Sequence, residues 1–311
     1  MSVSMERGGR PAPWAALVFD FGGTKIEVAV AGPAHRVVAR TTLSTNASDG
    51  AAQAVDRAIL AGRDLLLEHH DRVPAVIGVS SMGYTGEDGV RLAPNVPGWE
   101  SLRLPALLRQ AFPDIPVVLE NDVRAAAAAE LQWGALTGIE TGLYVNFGSG
   151  VAATLIIGGK VFPGSHGVAG EVGYWLVPPS APAGSPAEPA GETSTLEVEV
   201  GGTGVRQRAR SLGIEGGLAE VLSSPRPAAR TLGDGVFGQI ALSVTNMSIL
   251  LDPERIVLGG GYTRAEDRLV DAISASLREH APSQPEVVIG HFGSDAGLFG
   301  AIALAEAASP P

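Results

Sequence analysis

No cysteine occurs among the 311 residues. That excludes disulfides and any zinc site built on thiolates, and it fits a cytoplasmic setting. Nor is there a run of about 18 apolar residues, so no membrane span is expected. The opening stretch MSVSMERGGRPAPW lacks an apolar signal core ahead of the first strand-like run. Basic residues are in the minority: 22 Lys and Arg stand against 33 Asp and Glu, a formal net charge of −11. A broad nucleic-acid-binding surface is therefore not expected. Charged residues make up 18% and hydrophobic residues 45%. That is the balance of a well-buried globular enzyme and not of a disordered chain. At this length two lobes are expected, because one core seldom serves so many residues.

What is present is patterned. Residues 1–13 read as a disordered arm. Strand-like runs follow at 15–21, 25–31 and 36–43, with Gly22–Gly23 turning the first into the second. Residues 49–70 carry helical periodicity, 75–80 is a short buried run, and a helix is expected near 104–112. A strand at 117–119 leads through Glu120–Asn121–Asp122 into the alanine-rich helix VRAAAAAELQWG. The second half repeats the opening: strands 142–147 and 151–157 flank Gly148–Ser149–Gly150. Residues 178–191 form an aperiodic Pro/Ala/Gly/Ser loop. Helices are expected at 195–212, 233–251, 265–280 and 296–308, with strands at 255–258 and 287–289.

Four segments carry chemistry. In Asp20-Phe21-Gly22-Gly23-Thr24-Lys25 a strand delivers a carboxylate to a glycine turn. Glycine lets the backbone approach a ligand, Thr24 and the amides can donate to phosphate oxygens, and Lys25 adds positive charge. Asp20 can hold Mg²⁺ through water. The same segment is equally an ordinary hairpin turn. Gly148-Ser149-Gly150 is a second such element. At Glu120-Asn121-Asp122, Asp122 can take a proton from an attacking hydroxyl, or else Asn121 or Asp122 is a plain helix cap. In Ala169-Gly170-Glu171-Val172-Gly173-Tyr174, a carboxylate between glycines can accept from neighbouring hydroxyls, or it is a solvated loop residue. His166 lies close by and is a further substrate candidate.

In this order and spacing the motifs resemble the ROK family of bacterial sugar kinases and sugar-responsive repressors, from Asp20 to the last helix. DFGGTK resembles the family's first phosphate motif, NFGSG its second, LENDVRAAAAAE the segment with its catalytic aspartate, and APNVPGW its sugar-contacting loop. AGEVGY resembles its GE-x-GH motif, and LGGG at 258–261 its adenosine-side motif. The resemblance implies an α/β protein of the actin-like ATPase (ribonuclease H-like) fold, with two lobes around a cleft. Residues 14–122 plus 296–309 would form the small N-terminal lobe and 123–295 the larger C-terminal one. It implies ATP-dependent phosphorylation of a hexose hydroxyl, at C6 of a glucose-type sugar, by a cytoplasmic homodimer. Asp122 is then the general base. Asn95, Asn121, Asp122, Glu171, Tyr174 and Glu197 would face the sugar. Asp20, Gly22, Gly23, Thr24 and Lys25 would meet phosphate and Mg²⁺, and Gly148, Ser149, Gly150, Gly259 and Gly260 would line the nucleotide.

The chain departs from the family pattern in three places. Tyr174 stands where the family has a zinc-binding histidine, and the following loop has no cysteine, so no structural zinc is expected. A phenol at 174 can donate a hydrogen bond but has no ring nitrogen. After Gly150 the chain continues Val151-Ala152-Ala153, where the family is richer in glycine. These departures motivate one alternative, a kinase for a specialised aminohexose such as glucosamine or kanosamine in antibiotic biosynthesis. A sugar-sensing repressor is disfavoured by the acidic charge and by the short, unpatterned stretch before Asp20. Polyphosphate as donor would call for a basic track, and no Lys/Arg cluster is present.

Overall fold

The computed structural model describes residues 14–86, 89–91, 96–179 and 193–309. The expected arm at 1–13, Asn95 and most of the 178–191 loop lie outside the described residues. The chain divides into two compact units, one of 1–126 with 297–311 and one of 127–296.

The first unit begins with β1 (Ala16–Phe21), β2 (Lys25–Gly32) and β3 (Arg36–Ser44), an antiparallel meander. Helix α1 (Ala51–Glu68) leads to β4 (Val76–Ser81), and a short hairpin of β5 (Tyr84–Gly86) and β6 (Gly89–Arg91) follows. Helix α2 (Leu104–Ala111) and β7 (Val117–Asn121) complete a five-stranded sheet of order β3-β2-β1-β4-β7, with β4 and β7 parallel to β1. Side chains alternate across it. Leu17, Phe19 and Phe21 join Ile26, Val28 and Val30 in a core with Ala54, Val55 and Ala58 of α1 and Leu104 and Leu108 of α2. Each such large apolar side chain contributes about 1.5–3 kcal/mol by leaving water.

The opposite face is different. The register aligns Thr42, Glu27, Asp20, Ser80 and Glu120 in one row across the five strands. The last helix, here α9 (Ala296–Ala308), packs on this face. Gly78 must lack a side chain there, because a Cβ would collide with the Ala301 carbonyl.

Helix α3 (Asp122–Trp133) follows β7 directly. The second unit then repeats the first sheet's plan with β8 (Thr141–Phe147), β9 (Val151–Ile157), β10 (Lys160–Phe162), β13 (Arg255–Gly259) and β14 (Glu286–Ile289). Their order is β10-β9-β8-β13-β14, an antiparallel meander continued by parallel strands. Between them run a short ribbon of β11 (Leu176–Val177) and β12 (Ser194–Thr195), then α4 (Leu196–Val200), α5 (Gly202–Ser211), α6 (Leu218–Ser223), α7 (Pro227–Leu251) and α8 (Glu266–His280). The helix expected at 195–212 is two helices, because Gly201 is extended at φ −65, ψ 147 and breaks the run. Helix α7 starts at Pro227, six residues before the expected 233, because proline suits a first helical turn. Among the described residues α7 is long and apolar enough to cross a membrane, yet half of its most apolar window is buried within this unit, where Val236, Ile240 and Val244 join the core.

Candidate active site

The β1–β2 turn is tight: Gly22 N–H donates to the Lys25 carbonyl at 3.0 Å. Thr45 fixes it from outside, its hydroxyl donating to the Gly22 carbonyl at 2.7 Å and its N–H to the Thr24 carbonyl at 3.0 Å. Gly23 and Thr24 are exposed at the tip. Asp20, half-buried near the end of β1, accepts from the Ser80 hydroxyl at 2.8 Å. A Cβ at Gly297 would collide with the Asp20 carboxylate, so the start of α9 closes over it. The Lys25 ammonium lies 2.5 Å from Glu27 Oε2, and Arg40 pairs with the other oxygen of this fully buried carboxylate.

A single hard oxygen donor, positioned by a hydroxyl, suits Mg²⁺, which keeps most of its waters and is commonly held by one or two carboxylates plus substrate phosphates. Among the described residues there is no cluster of three or more His, Asp or Glu that could cage a metal.

At the β7–α3 junction the capping work belongs to Asn121. Its Oδ1 accepts from the Val123 and Arg124 N–H groups, each at 3.0 Å, and its amide donates to the Gly83 carbonyl at 3.2 Å. Asp122 occupies the first turn of α3, half-buried, and its Oδ1 lies 2.9 Å from the Val123 N–H. Glu120 braces the junction: Oε1 accepts from the Asn121 N–H at 2.8 Å and from Arg124 Nε at 2.9 Å.

In the second unit the Gly148–Gly150 turn is closed by Gly148 N–H to the Gly150 carbonyl at 3.0 Å. The first N–H groups of α5 dock on it, Gly202 to the Gly148 carbonyl at 2.9 Å and Thr203 to the Ser149 carbonyl at 3.2 Å. Glu197, in α4, accepts the Val151 N–H at 3.0 Å. Glu171 is half-buried ahead of the 3-10 turn Val172–Tyr174, and that turn is tied to β9 by Ala153 N–H to the Gly170 carbonyl at 2.7 Å. Tyr174 is 58% exposed, and His166 lies exposed in the preceding loop.

Gly259 ends β13 against β8, and Gly260 follows it at the start of a 3-10 turn. A Cβ on the first would meet the Tyr144 hydroxyl and on the second the Phe147 carbonyl, so packing alone demands both glycines. The Tyr262 ring stacks on Phe147 at 6.4 Å. Burial pushes the Tyr262 phenol up to about 12, against the pull of nearby Arg208. Burial also lowers the Arg208 guanidinium, partly offset by Glu199.

Three residues escaped the sequence reading. Glu27 had a faint signal, a charge inside the apolar run KIEVAVAG. Ser80 and Gly297 had none, because strand register and helix packing bring them to Asp20.

A family model described as ROK family matches residues 16–308. A glucokinase of Halalkalibacterium halodurans is 29% identical over 90% of this chain and 92% of its own length. A kanosamine kinase of Amycolatopsis mediterranei is 29% identical over 93% of this chain and 95% of its own. The crystal structure of a ROK family glucokinase from Streptomyces griseus, in complex with glucose and AMPPNP, matches with a TM-score of 0.74. It is 26% identical, covering 94% of this chain and 99% of that one.

Proposed function

The chain belongs to the ROK family and is a sugar kinase of the actin-like ATPase fold, and from that premise we propose that it moves the γ-phosphoryl group of ATP to the C6 hydroxyl of a glucose-type hexose. The hydroxyl oxygen attacks phosphorus while Asp122 accepts its proton, and ADP departs as the β–γ bridging bond breaks. Phosphoryl transfer of this kind depends on positioning and charge neutralisation more than on covalent chemistry by the protein. The observation that carries the assignment is the division of labour at the start of α3. Asn121 supplies the cap by accepting from the Val123 and Arg124 N–H groups, and Asp122, whose Oδ1 also meets the Val123 N–H, sets a half-buried carboxylate in the first turn of α3 directly after β7.

Asp20, steadied by Ser80, would hold Mg²⁺ through water, and the ion would neutralise charge on the ATP phosphates. Gly22, Gly23 and Thr24 would present the first turn to the phosphates, with Lys25 supplying charge beside them. Gly148, Ser149 and Gly150 would present the second turn, and Gly259 and Gly260 would flank the adenosine. Asn95, Asn121, Asp122, Glu171, Tyr174, Glu197 and His166 would meet the sugar. Structural zinc is not part of this reading, since no cysteine is available; a stoichiometric, chelator-resistant zinc in purified protein would contradict it. The working form is a cytoplasmic homodimer. The exposed Leu242, Ile249 and Leu250 of α7 favour association, which light scattering tests.

A second acceptor class has one observation in its favour. Tyr174 presents a largely exposed phenol beside Glu171, in place of the family's histidine, and the kanosamine kinase relative acts on an aminohexose, as its name states. The test of both is a coupled ADP-release assay with ATP and Mg²⁺ over glucose, mannose, fructose, glucosamine, kanosamine and N-acetylated hexosamines. Turnover highest on glucose supports the first reading, and turnover highest on an aminohexose supports the second. A folded protein that phosphorylates none of them refutes both.

A further inference from the structure

We propose that Glu197 is a positioning residue that couples hexose binding at the Glu171–Tyr174 turn to nucleotide binding at the Gly148–Gly150 turn. The proposal rests on the kinase reading above, and it gives Glu197 a role separate from any direct contact with sugar.

The geometry is local and lies within one unit. Glu197 Oε2 accepts the N–H of Val151, the first residue after the Gly148–Gly150 turn, at 3.0 Å. The same oxygen fills the space where residue 150 would carry a Cβ, so glycine is needed there for the carboxylate to fit. On its other side, a Cβ at Gly173 would lie 3.3 Å from both Glu197 Cβ and Oε2, and 2.5 Å from the Val151 carbonyl. Gly173 belongs to the 3-10 turn that follows Glu171. One carboxylate is therefore wedged between the turn assigned to phosphates and the turn assigned to sugar.

Two further links make the wedge stiff. Ala153 N–H donates to the Gly170 carbonyl at 2.7 Å, which fastens the Glu171 segment along β9. The Gly201 N–H bonds the Glu197 carbonyl at 2.8 Å, and the next two N–H groups bond the Gly148 and Ser149 carbonyls. A shift of the Glu171–Tyr174 turn on gripping a sugar must move Glu197 or be resisted by it. Either way the Val151 N–H, and with it the Gly148–Gly150 turn, is biased. Thermodynamic linkage makes the effect reciprocal: whatever factor the sugar contributes to nucleotide affinity, the nucleotide returns to the sugar.

The test is calorimetric titration of the full chain with AMPPNP and Mg²⁺, alone and at saturating glucose, or glucosamine if the panel ranks it higher. In wild type the sugar should tighten AMPPNP by about 5–150-fold, the usual range for coupled sites. In Glu197→Ala the factor should fall to near unity while the circular dichroism stays wild type. Glu197→Gln should recover most of it, because the amide oxygen can still accept from Val151. If Glu197→Ala binds sugar weakly but saturating sugar tightens AMPPNP by the full wild-type factor, Glu197 is only a sugar contact and the proposal is overturned. A uniform loss of both affinities with the factor intact overturns it as well. Should Glu197→Ala not fold, Gly150→Ala, whose Cβ collides directly with Glu197 Oε2, displaces the same carboxylate and must abolish the factor. Wild type that binds AMPPNP with no sugar effect refutes the coupling alone. Wild type that neither binds AMPPNP nor phosphorylates any sugar refutes the kinase reading itself.

Discussion

Ser80 Oγ, on β4, donates to Asp20 Oδ1 on the adjacent parallel strand at 2.8 Å, and the two residues are register partners. Ser80 is fully buried, whereas Asp20 is half-buried. A hydrogen bond to a charged group contributes about 1.5–3 kcal/mol to stability, so Ser80→Ala should lower the melting temperature by a few degrees and, by releasing the Asp20 carboxylate, should lower kcat/KM for Mg·ATP by roughly tenfold. Gly297→Ala should do more damage, because its Cβ collides with the same carboxylate. Steady-state kinetics with varied ATP at fixed sugar would check both. Wild-type KM for ATP in both variants would detach Asp20 from the nucleotide.

Tyr262 gives a prediction about pH. Its hydroxyl is buried and makes no hydrogen bond among the described residues. An unpaired buried hydroxyl costs on the order of 1–3 kcal/mol, so Tyr262→Phe should raise the melting temperature by a few degrees. The phenol keeps its proton to higher pH in the folded chain than in the unfolded one, from 10.0 up to about 12. Its share of stability is thus full below the unfolded value and is lost as pH climbs through the folded one. The gap between variant and wild type should widen from about pH 8 to about pH 11. A constant gap across that range would show that Tyr262 does not titrate with folding.

Much of the fold was legible because its signals are local. The Gly22–Gly23 and Gly148–Gly150 turns sit between alternating apolar runs, and the alanines of α3 favour helix whatever surrounds them. The break at Gly201 is hidden in the sequence because the periodicity on either side outweighs a single glycine pair, and the start of α7 is hidden because Pro227 suits a first helical turn as well as a loop. Within the candidate site, Asp20, Asp122 and Glu171 could be read as carboxylates at element ends. Ser80, Gly297 and the wedge of Glu197 against Gly150 and Gly173 could not. They depend on strand register and helix packing between segments far apart in the chain, and one sequence does not record which residues those bring together.

Tyr174 gives a prediction about selectivity. It ends the turn that follows Glu171 and is largely exposed. A site that hydrogen-bonds one particular group can reject an analogue lacking it by large factors, because its own polar groups are then left unpaired. Tyr174→His should reorder kcat/KM among glucose, aminohexoses and N-acetylated hexosamines, and Tyr174→Phe should separate the hydroxyl from the ring. If both keep the wild-type ranking, Tyr174 is a surface residue, and selectivity lies with Asn95, His166 or Glu197.

The most direct measurement is the turnover of Asp122→Asn with ATP, Mg²⁺ and the sugar that wild type prefers. Asparagine keeps the size of the side chain and its oxygen acceptor toward the Val123 N–H, but it cannot take a proton from the hydroxyl. Removing a general base costs about 10²–10⁴ in rate. The kinase reading predicts a kcat reduced by that factor, with the melting temperature and the sugar Kd close to wild type. A folded Asp122→Asn protein with near wild-type kcat would contradict it and remove Asp122 from the chemistry.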